Sequence, residues 1–382
     1  MLLFYEQSLL LPKQEQRELL CTAARVAVKK VLKLRSGEQV LIITNPSFDV
    51  ATISAALYDA ASTEGANVTV IFQPEKTQID FAEKTVIAAF NARPDVVISI
   101  SSGKLGKDEA AIAKPLMHNG AGYDHIFHLL QYGEKSCRGF WSPSVTIESF
   151  IRTVPIDYVI LQKRCEAINE VLDAANSVRV TALAGTNITL GLRGRIAKAD
   201  NGDFSEGGSG GNMPAGESFI SPENNTAEGT IVFDGSISLH EHEVLVKTPI
   251  TCSVRGGFVD KISGGEEADE LRKTITLAEI RAREFALSGK LPEDKGEVYA
   301  KNARNIGELG IGLNPAAKIT GNMLEDEKAF KTCHFAIGQN YDEDAPALIH
   351  LDGLVREPTI VAQMPDGKEI TIMKDGVLTL AY

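Results

Sequence analysis

A histidine and an aspartate two positions apart offer the most direct route to metal chemistry in this sequence. His350 and Asp352 lie in the run 347–353, Ala-Leu-Ile-His-Leu-Asp-Gly, whose pattern is typical of a β-strand. Residues i and i+2 of a strand share one face, so the imidazole and the carboxylate would point the same way. Zn, Mn and Fe accept such mixed nitrogen and oxygen ligands. A histidine hydrogen-bonded to a neighbouring aspartate is the structural alternative.

Three more residues of the same chemical types lie upstream. His334 stands in an apolar run, where a core histidine is the alternative interpretation. Glu308 is flanked by glycines and apolar residues, and a buried carboxylate is costly unless a cation or hydrogen-bond donors compensate it. Before Glu217, Pro214 restricts the backbone and Gly216 lets it turn, as expected where a ligand must be placed closely. For either glutamate alone, a solvated or hydrogen-bonded structural role is the alternative.

Together these two histidines and three carboxylates are enough for a two-metal site, in which one carboxylate bridges the two ions. Such a pair of ions lowers the pKa of a shared water molecule and polarises a carbonyl oxygen. Both effects favour the hydrolysis of an amide bond. The residues therefore predict a metal-dependent hydrolase.

The first half of the chain must supply a scaffold of alternating strands and helices. The apolar, β-branched run at 39–44 predicts a strand covered on both faces, and the runs at 67–72 and 95–100 predict two more strands. Helical spacing marks 16–34 and 49–64. That alternation is typical of a doubly wound, mostly parallel α/β sheet. Neither a GxGxxG nor a GxxxxGK[ST] motif follows these strands, so we expect no nucleotide site.

The second half follows a different pattern. After a long predicted helix at 157–175, short β-rich runs are separated by Gly-Gly pairs and interrupted by one helix at 266–287. These features predict a largely antiparallel, β-rich α+β domain. We therefore expect an α/β domain at 1–177 and an α+β domain at 178–382 that binds the metal and carries the catalytic residues.

Composition excludes several kinds of partner. The chain has 382 residues and a formal net charge of −12 at pH 7, and no cluster of Lys and Arg stands out. Nucleic acid and membrane surfaces are therefore not expected as partners. No apolar stretch reaches transmembrane length, and the amino terminus does not resemble a signal peptide. Five well-separated cysteines without a CxxC motif indicate a reducing compartment, so we expect a cytoplasmic protein.

Four other histidines have weaker claims to a function. His240 and His242 alternate with glutamates in a segment that looks like a metal motif, but a solvated strand or loop is the better interpretation. His125 and His128 belong to the predicted first domain. They could reach toward a substrate across a domain cleft, and plain structural roles are the alternative that we favour.

Several short motifs in a fixed order resemble those of the aminopeptidase T family of metallo-aminopeptidases, also called the thermophilic metalloprotease family. Their common order carries the resemblance, which is concentrated between residues 185 and 352. The matching segments are Gly185-Thr186-Asn187, Asn212-Met213-Pro214-Ala215-Gly216-Glu217 with Ser221-Pro222, Gly229-Thr230-Ile231-Val232, Gly307-Glu308, His334-Phe335-Ala336-Ile337-Gly338 and His350-Leu351-Asp352.

The resemblance implies a site and an activity. It makes two divalent ions (Zn, Co or Mn) the cofactors, with a bridging, catalytic carboxylate at Glu308. The implied metal ligands are Glu217, Glu308, His334, His350 and Asp352. It further implies an aminopeptidase, a metalloprotease that removes the amino-terminal residue of short peptides and that forms a homodimer.

The same resemblance singles out Tyr341 as a catalytic residue whose hydroxyl would support the tetrahedral intermediate, with a packing role as the alternative. The sequence departs from the family in two places. His350 follows His334 by 16 positions, a shorter segment than in the peptidases it resembles, and Thr332 and Cys333 replace a commoner Gly-Thr pair. The short segment could remove part of a substrate wall, which affects peptide specificity more than the metal site.

An oxidoreductase is the alternative to the hydrolase. Enzymes that resemble the same scaffold hold a single ferrous ion and open a dihydroxypyridine ring with dioxygen. Two histidines and a carboxylate form a facial triad suited to Fe(II), and His334, His350 and Asp352 could supply it. Because Glu217 and Glu308 are both present, two metals and hydrolysis are the leading prediction. A non-enzymatic binding module would need a broken ligand set, and none is broken.

Overall fold

The chain divides into two compact units, described here from a computed structural model of residues 14–77, 80–240 and 242–382. The first unit comprises the described residues up to Tyr158 together with Gly202–Ala215. The second comprises Val159–Asn201 and Gly216–Tyr382. The predicted division between residues 177 and 178 therefore falls inside the second unit.

Helices and strands alternate first and strands dominate later. The helices are α1 (Gln14–Val26, followed by a π-helical turn at Ala27–Val31), α2 (Phe48–Thr63), α3 (Lys84–Asn91), α4 (Glu109–Ala113), α5 (Ile126–His128, followed by a π-helical turn at Leu129–Gly133), α6 (Ile147–Thr153), α7 (Tyr158–Ala174), α8 (Glu266–Leu287), α9 (Gly296–Asn302, preceded by a 3-10 turn at Glu293–Lys295) and α10 (Met323–Asp326). The strands are β1 (Gln39–Thr44), β2 (Asn67–Phe72), β3 (Val96–Ser101), β4 (Leu116–His118), β5 (Ala121–Tyr123), β6 (Arg138–Pro143), β7 (Ser177–Thr181), β8 (Asn187–Gly191), β9 (Lys198–Asp200), β10 (Gly210–Asn212), β11 (Glu217–Ile220), β12 (Glu228–Phe233), β13 (Ser236–Ser238), β14 (Glu243–Leu245), β15 (Ile250–Arg255), β16 (Phe258–Ser263), β17 (Ile306–Gly312), β18 (Thr332–Gly338), β19 (His350–Arg356), β20 (Thr359–Gln363), β21 (Glu369–Lys374) and β22 (Val377–Leu378).

The first unit contains a five-stranded parallel sheet with the strand order β10-β6-β3-β1-β2. Every residue of β3 is buried, as the run of β-branched and apolar side chains predicts for a strand covered on both faces. Phe90 of α3 and Leu130 of the π-helical turn after α5 pack in the same buried cluster as Val97. The predicted α/β part of the fold is confirmed.

The second unit contains two large antiparallel sheets. One has eight strands in the order β16-β15-β12-β8-β7-β20-β21-β22, and the other has seven in the order β14-β13-β19-β18-β17-β11-β9. The predicted α+β, β-rich second part is confirmed. No helix among the described residues combines the length and the apolar character that crossing a membrane requires.

Helix α7 explains why the second unit starts earlier than predicted. The Cys165 thiol lies 3.6 Å from the main-chain oxygen of Glu217, and the Ser218 hydroxyl donates to the main-chain oxygen of Cys165 at 3.5 Å. Ile168 and Leu172 of the same helix are fully buried. The change in sequence pattern near residue 177 marks the start of the strands, whereas the helix before it already packs on strand β11.

The seven-stranded sheet has one apolar face. Buried apolar residues occupy the strand positions next to the predicted metal ligands on β17, β18 and β19; they are Leu309, Ile311, Cys333, Phe335 and Leu351. Because side chains alternate along a strand, these residues face the core and their neighbours face the opposite side. The predicted metal ligands on these strands therefore all lie on the face opposite the apolar core residues.

Candidate metal centre

Four adjacent strands carry the five residues that sequence motifs predict as metal ligands. The order β19-β18-β17-β11 places two of these residues on β19 and one on each of the other three strands. The residues are His350 and Asp352 on β19, His334 on β18, Glu308 on β17 and Glu217 on β11. The structure brings all five together in the second unit.

Strand register puts these side chains on one face. His334 pairs with Gly310 across the β17–β18 ladder, and Ala336 pairs with both Glu308 and Asp352. Opposite residues of an antiparallel pair point to the same side of the sheet. A Cβ added to Gly310 would lie 2.0 Å from Nε2 of His334, so glycine leaves the space that the imidazole occupies.

Glu308 is contacted by both imidazoles. Its Oε1 lies 3.2 Å from Nε2 of His334, and its Oε2 lies 3.3 Å from Nε2 of His350. Nε2 of His334 also lies 3.5 Å from Oε2 of Glu217. Burial would raise the pKa of Glu308, but hydrogen bonds and charges from the two histidines lower it below the usual value.

His350 is held at both ring nitrogens. Nδ1 lies 2.8 Å from the main-chain oxygen of Gln339, and Nε2 lies 3.3 Å from Oδ1 of Asp352. Burial would raise the pKa of Asp352, but the charge and hydrogen bond of His350 lower it to about 2. The pKa of His350 is correspondingly raised well above its usual value by Asp352 and Glu308, against the opposing effect of burial.

Three oxygen atoms of the cluster are buried and make no hydrogen bond of good geometry among the described residues, although Nε2 of a histidine lies 3.3 to 3.5 Å from each. They are Oε2 of Glu217, Oε2 of Glu308 and Oδ1 of Asp352. Buried polar atoms in folded proteins are normally satisfied by a protein group, an ordered water molecule or an ion. A cation bound among them would satisfy all three atoms.

Two further residues, one largely and one completely buried, complete the cluster, and sequence analysis missed both. The Glu327 carboxylate lies near His334 and Asp352, and burial together with the charges of Glu217 and Asp352 raises its pKa to about 8 despite the lowering effect of Lys328. The Lys328 side chain is completely buried. In the sequence both belong to the run 324–328, Leu-Glu-Asp-Glu-Lys, which looks like a solvated charged segment.

Among the residues that the structure describes, three overlapping groups of ligand atoms could hold a metal ion, and the atoms of each group lie within 4.8 Å of one another. The groups are Glu217 with Glu308 and His334, Glu308 with His350 and Asp352, and Glu327 with His334 and Asp352. Each of these three contains one histidine. The facial triad of His334, His350 and Asp352 that was the alternative prediction is therefore not among these groups. Two of the three groups contain Glu308.

Tyr341 lies beside the cluster, in the short segment between β18 and β19. Its ring centroid is 5.1 Å from that of His350 and 5.1 Å from that of Phe219. About half of the side chain is exposed, at 52%. Desolvation of the phenol and the negative charges of Glu308 and Asp352 hold the pKa of Tyr341 well above its usual value. The hydroxyl is therefore protonated and able to donate a hydrogen bond.

No other histidine among the described residues belongs to a group of potential metal ligands. His242 is exposed and lies 3.4 Å from Glu270, whereas Glu241 lies outside the described residues. His125 is buried in the first unit, and its Nδ1 accepts a hydrogen bond from the main-chain N–H of Phe127. His128 pairs with Asp124 at 3.1 Å. Local contacts thus account for His125, His128 and His242.

Comparison with known proteins identifies the family. The family model NicX, 2,5-dihydroxypyridine 5,6-dioxygenase, matches residues 146–337, which is half of the chain. The chain belongs to the NicX family. A curated relative, 2,5-dihydroxypyridine 5,6-dioxygenase of Pseudomonas putida, is 29% identical over 165 residues, which are 43% of this chain and 41% of that protein. The chain thus aligns with less than half of that relative's length.

Two solved structures share the fold over nearly the whole chain. The 2,5-dihydroxypyridine dioxygenase of Pseudomonas putida KT2440 has a TM-score of 0.68 at 19% identity and covers 96% of this chain and 98% of its own. Wild-type AmpT from Thermus thermophilus has a TM-score of 0.65 at 16% identity, with 95% and 99% covered. At such identities the likeness shows the fold alone, so the predicted resemblance to aminopeptidase T holds for the fold.

The predicted metallo-aminopeptidase activity is wrong. The matching family model and the curated relative both carry the name of a dioxygenase. This finding contradicts the predictions of a hydrolase, an aminopeptidase, a metalloprotease and a protease, together with the predicted peptide substrate. The error has a physical cause, because imidazole and carboxylate donors suit iron as well as zinc, cobalt or manganese. Donor types alone do not determine the reaction. The alternative, a ring-cleaving dioxygenase, is the better supported function.

Proposed function

We propose that this protein is an iron(II)-dependent dioxygenase that opens the ring of a dihydroxylated nitrogen heteroaromatic, such as 2,5-dihydroxypyridine. The family match over residues 146–337 carries the proposal. The matched range includes Glu217, Glu308 and His334 of the cluster. The curated relative with the same printed activity supports it.

The donor atoms suit a ferrous ion. Glu308, His350 and Asp352 offer two carboxylates and one imidazole whose ligand atoms lie within 4.8 Å of one another. Fe(II) is bound by such mixed nitrogen and oxygen donors. The unsatisfied Oε2 of Glu308 and Oδ1 of Asp352 would both be satisfied by the cation. When bound, the iron supplies the redox chemistry that dioxygen needs to react with an aromatic ring.

Of the five predicted ligands, we assign Glu308, His350 and Asp352 to direct metal binding. Nδ1–H of His350 donates a hydrogen bond to the main-chain oxygen of Gln339, so Nε2, which faces Glu308 and Asp352, would be the ligand atom once the metal displaces its proton. Glu217 and His334 then orient Glu308, since Nε2 of His334 lies between the two carboxylates.

We assign Tyr341 to the wall of the substrate site. An exposed aromatic ring beside the cluster offers a flat apolar surface for a heteroaromatic ring, and stacked or edge-on aromatic pairs are favourable by roughly 0.5–1.5 kcal/mol. The protonated hydroxyl can donate to an oxygen of the substrate. This role replaces the support of a tetrahedral intermediate, which belonged to peptide hydrolysis.

Oligomeric state and compartment also belong to the proposal. We propose a cytoplasmic homodimer that binds neither nucleic acid nor membrane. All five cysteines are free thiols and four of them are buried, which suits a reducing compartment. Light scattering of the purified protein tests the dimer, and a monomer mass would contradict it.

Oxygen consumption tests the activity. The protein is freed of metal, reloaded with Fe(II) without air, and mixed with 2,5-dihydroxypyridine in a sealed oxygen electrode. We expect oxygen uptake that depends on both substrate and iron and that is lost in His350→Ala. The matched control, His242→Ala, removes an exposed histidine outside the cluster and should keep full activity. Iron-loaded protein that consumes no oxygen with this substrate would contradict the proposal.

A further inference from the structure

The Lys328 side chain places a buried ammonium among three carboxylates. Its Nζ contacts Oε1 of Glu217, lies 2.6 Å from Oε1 of Glu327 and lies 3.5 Å from Oδ2 of Asp200. The side chain has no exposed surface. A buried charge of this kind is tolerated only where opposite charges surround it, as they do here.

The backbone on both sides of Lys328 is fixed. Its N–H donates to the main-chain oxygen of Glu325 at 3.0 Å, and its own carbonyl oxygen accepts from the N–H of Asn314 at 2.9 Å. Register pairs Asp200 with Glu217 on neighbouring strands, so two of the three carboxylates are also fixed by a β-ladder. Backbone hydrogen bonds therefore fix the position of Lys328, and strand pairing fixes two of its carboxylate partners.

The partners of Lys328 are the carboxylates that a second metal ion would need. Glu217 and Glu327 each belong to a group of potential ligands that includes His334. A divalent ion in either group would share a carboxylate with the ammonium and would be repelled by its positive charge. Two like charges a few ångströms apart in a buried site repel each other strongly because water screens them poorly. The group of Glu308, His350 and Asp352 shares no carboxylate with Lys328.

We propose that the Lys328 ammonium takes the place of a second metal ion and limits the cluster to one divalent cation per chain, bound by Glu308, His350 and Asp352. Lys328 is in this account a positioning residue, which holds Glu217 and Glu327 and sets the metal number. The inference rests on the proposed function only in requiring that the cluster bind a metal. It replaces the pair of ions that the sequence predicted.

Metal counting tests the inference without any measurement of oxygen consumption. Mn(II) is the probe, because it is stable in air and its electron paramagnetic resonance spectrum separates isolated ions from coupled pairs. The metal-free full-length protein is titrated with Mn(II) and the bound metal is counted. We expect one Mn(II) per chain in the wild type, and two per chain with a coupled-pair spectrum in Lys328→Met. The control Lys331→Met, an exposed lysine three positions away, should keep one.

A second variant covers the case in which Lys328→Met does not fold. Lys328→Met with Asp200→Asn removes one positive and one negative charge, and it leaves Glu217, Glu327 and His334 intact. We expect two Mn(II) per chain for this variant as well. Two tightly bound ions in the wild type, or one ion in the folded variants, would overturn the inference. The proposed oxygenase activity would stand or fall independently on its own assay.

Discussion

Glu308 is the carboxylate on which the cluster depends, because it alone contacts both His334 and His350 among the described carboxylates. It is 3% exposed, so water does little to stabilise its charge. The two imidazoles nevertheless keep its pKa below the usual value. The oxygen atoms of Glu308 are therefore ionised and available to a cation.

Replacing Glu308 by glutamine tests that role with almost no change in shape. Glu308→Gln removes the negative charge, so we expect the affinity for Mn(II) or Fe(II) to fall by about 100-fold or more and oxygen consumption to disappear. Isothermal titration and the oxygen electrode measure the two effects, and circular dichroism checks the fold. The exposed Glu369→Gln is the matched control. Unchanged metal affinity in Glu308→Gln would remove Glu308 from the site.

Gly310 tests whether the sheet face must stay open beside His334. A Cβ at Gly310 would lie 2.0 Å from Nε2 of His334, so Gly310→Ala must displace the imidazole. We expect weaker metal binding and at least a tenfold loss of activity, on the order of what lost supporting contacts cost. Gly122→Ala, whose nearest neighbour would lie at 3.2 Å in the first unit, is the control. Full activity in Gly310→Ala would show that the position of His334 does not matter.

At the residue scale, sequence patterns predict part of the site and miss the rest. The spacing of His350 and Asp352 predicts a shared strand face, and the flanking glycines of Glu308 indicate burial. Glu327 and Lys328 could not be predicted in the same way, since a charged run is usually solvated. Only the packing of the turn after α10 buries them, and that packing depends on residues distant in sequence.

At the scale of elements, the strands are predictable and their partners are not. Apolar alternation marks β17, β18 and β19, because each has one face on the core. The order β19-β18-β17-β11 depends on which edges meet in space, and no local pattern encodes it. The predicted division at residue 177 was misplaced for the same reason. The sequence of helix α7 does not indicate that the helix packs on the second unit.

The short helix α5 provides a test of an element through pH. His125 caps it, and Nδ1 can accept the N–H of Phe127 only when the ring is neutral. Burial and the charge of His128 lower the pKa of His125 from 6.5 to about 4. As the pH falls from 6.5 to about 4, the His125 side chain binds a proton in the unfolded chain but not in the folded chain. The free energy of unfolding should therefore fall by about 1.4 kcal/mol per pH unit, or about 3 kcal/mol in all.

His125→Asn removes this titration and keeps a side-chain acceptor suited to a helix cap. We expect that its stability, measured by denaturant unfolding, declines less than that of the wild type between neutral pH and the acid end of the window. His118→Asn is the control and should follow the wild type. Identical pH dependence in His125→Asn and the wild type would show that His125 titrates normally in the folded protein.

At the scale of the whole molecule, one fold serves two chemistries. A dioxygenase and AmpT match this chain with TM-scores of 0.68 and 0.65, so fold similarity does not choose between them. The match to the NicX family model over residues 146–337 favours the dioxygenase. Sequence motifs correctly indicated the scaffold and misjudged the reaction, because the residues of the cluster are compatible with both.

Metal binding should stabilise the second unit against unfolding. A ligand that binds only the folded state adds about 2.7 kcal/mol at a free concentration 100 times its dissociation constant. We therefore expect Mn(II) or Fe(II) to raise the melting temperature and a chelator to reverse the effect, as followed by calorimetry. Glu308→Gln should show a much smaller shift. Equal shifts in both proteins would place the stabilising metal elsewhere.

The fate of dioxygen tests the central claim most directly. The iron-loaded protein is incubated with 2,5-dihydroxypyridine under ¹⁸O₂, and the product is analysed by mass spectrometry. We predict a ring-opened product that carries both atoms of one dioxygen molecule, formed by the wild type and not by Glu308→Gln. A product without ¹⁸O, or the absence of any ring-opened product from fully iron-loaded protein, would contradict the assignment of this chain as a ring-cleaving dioxygenase.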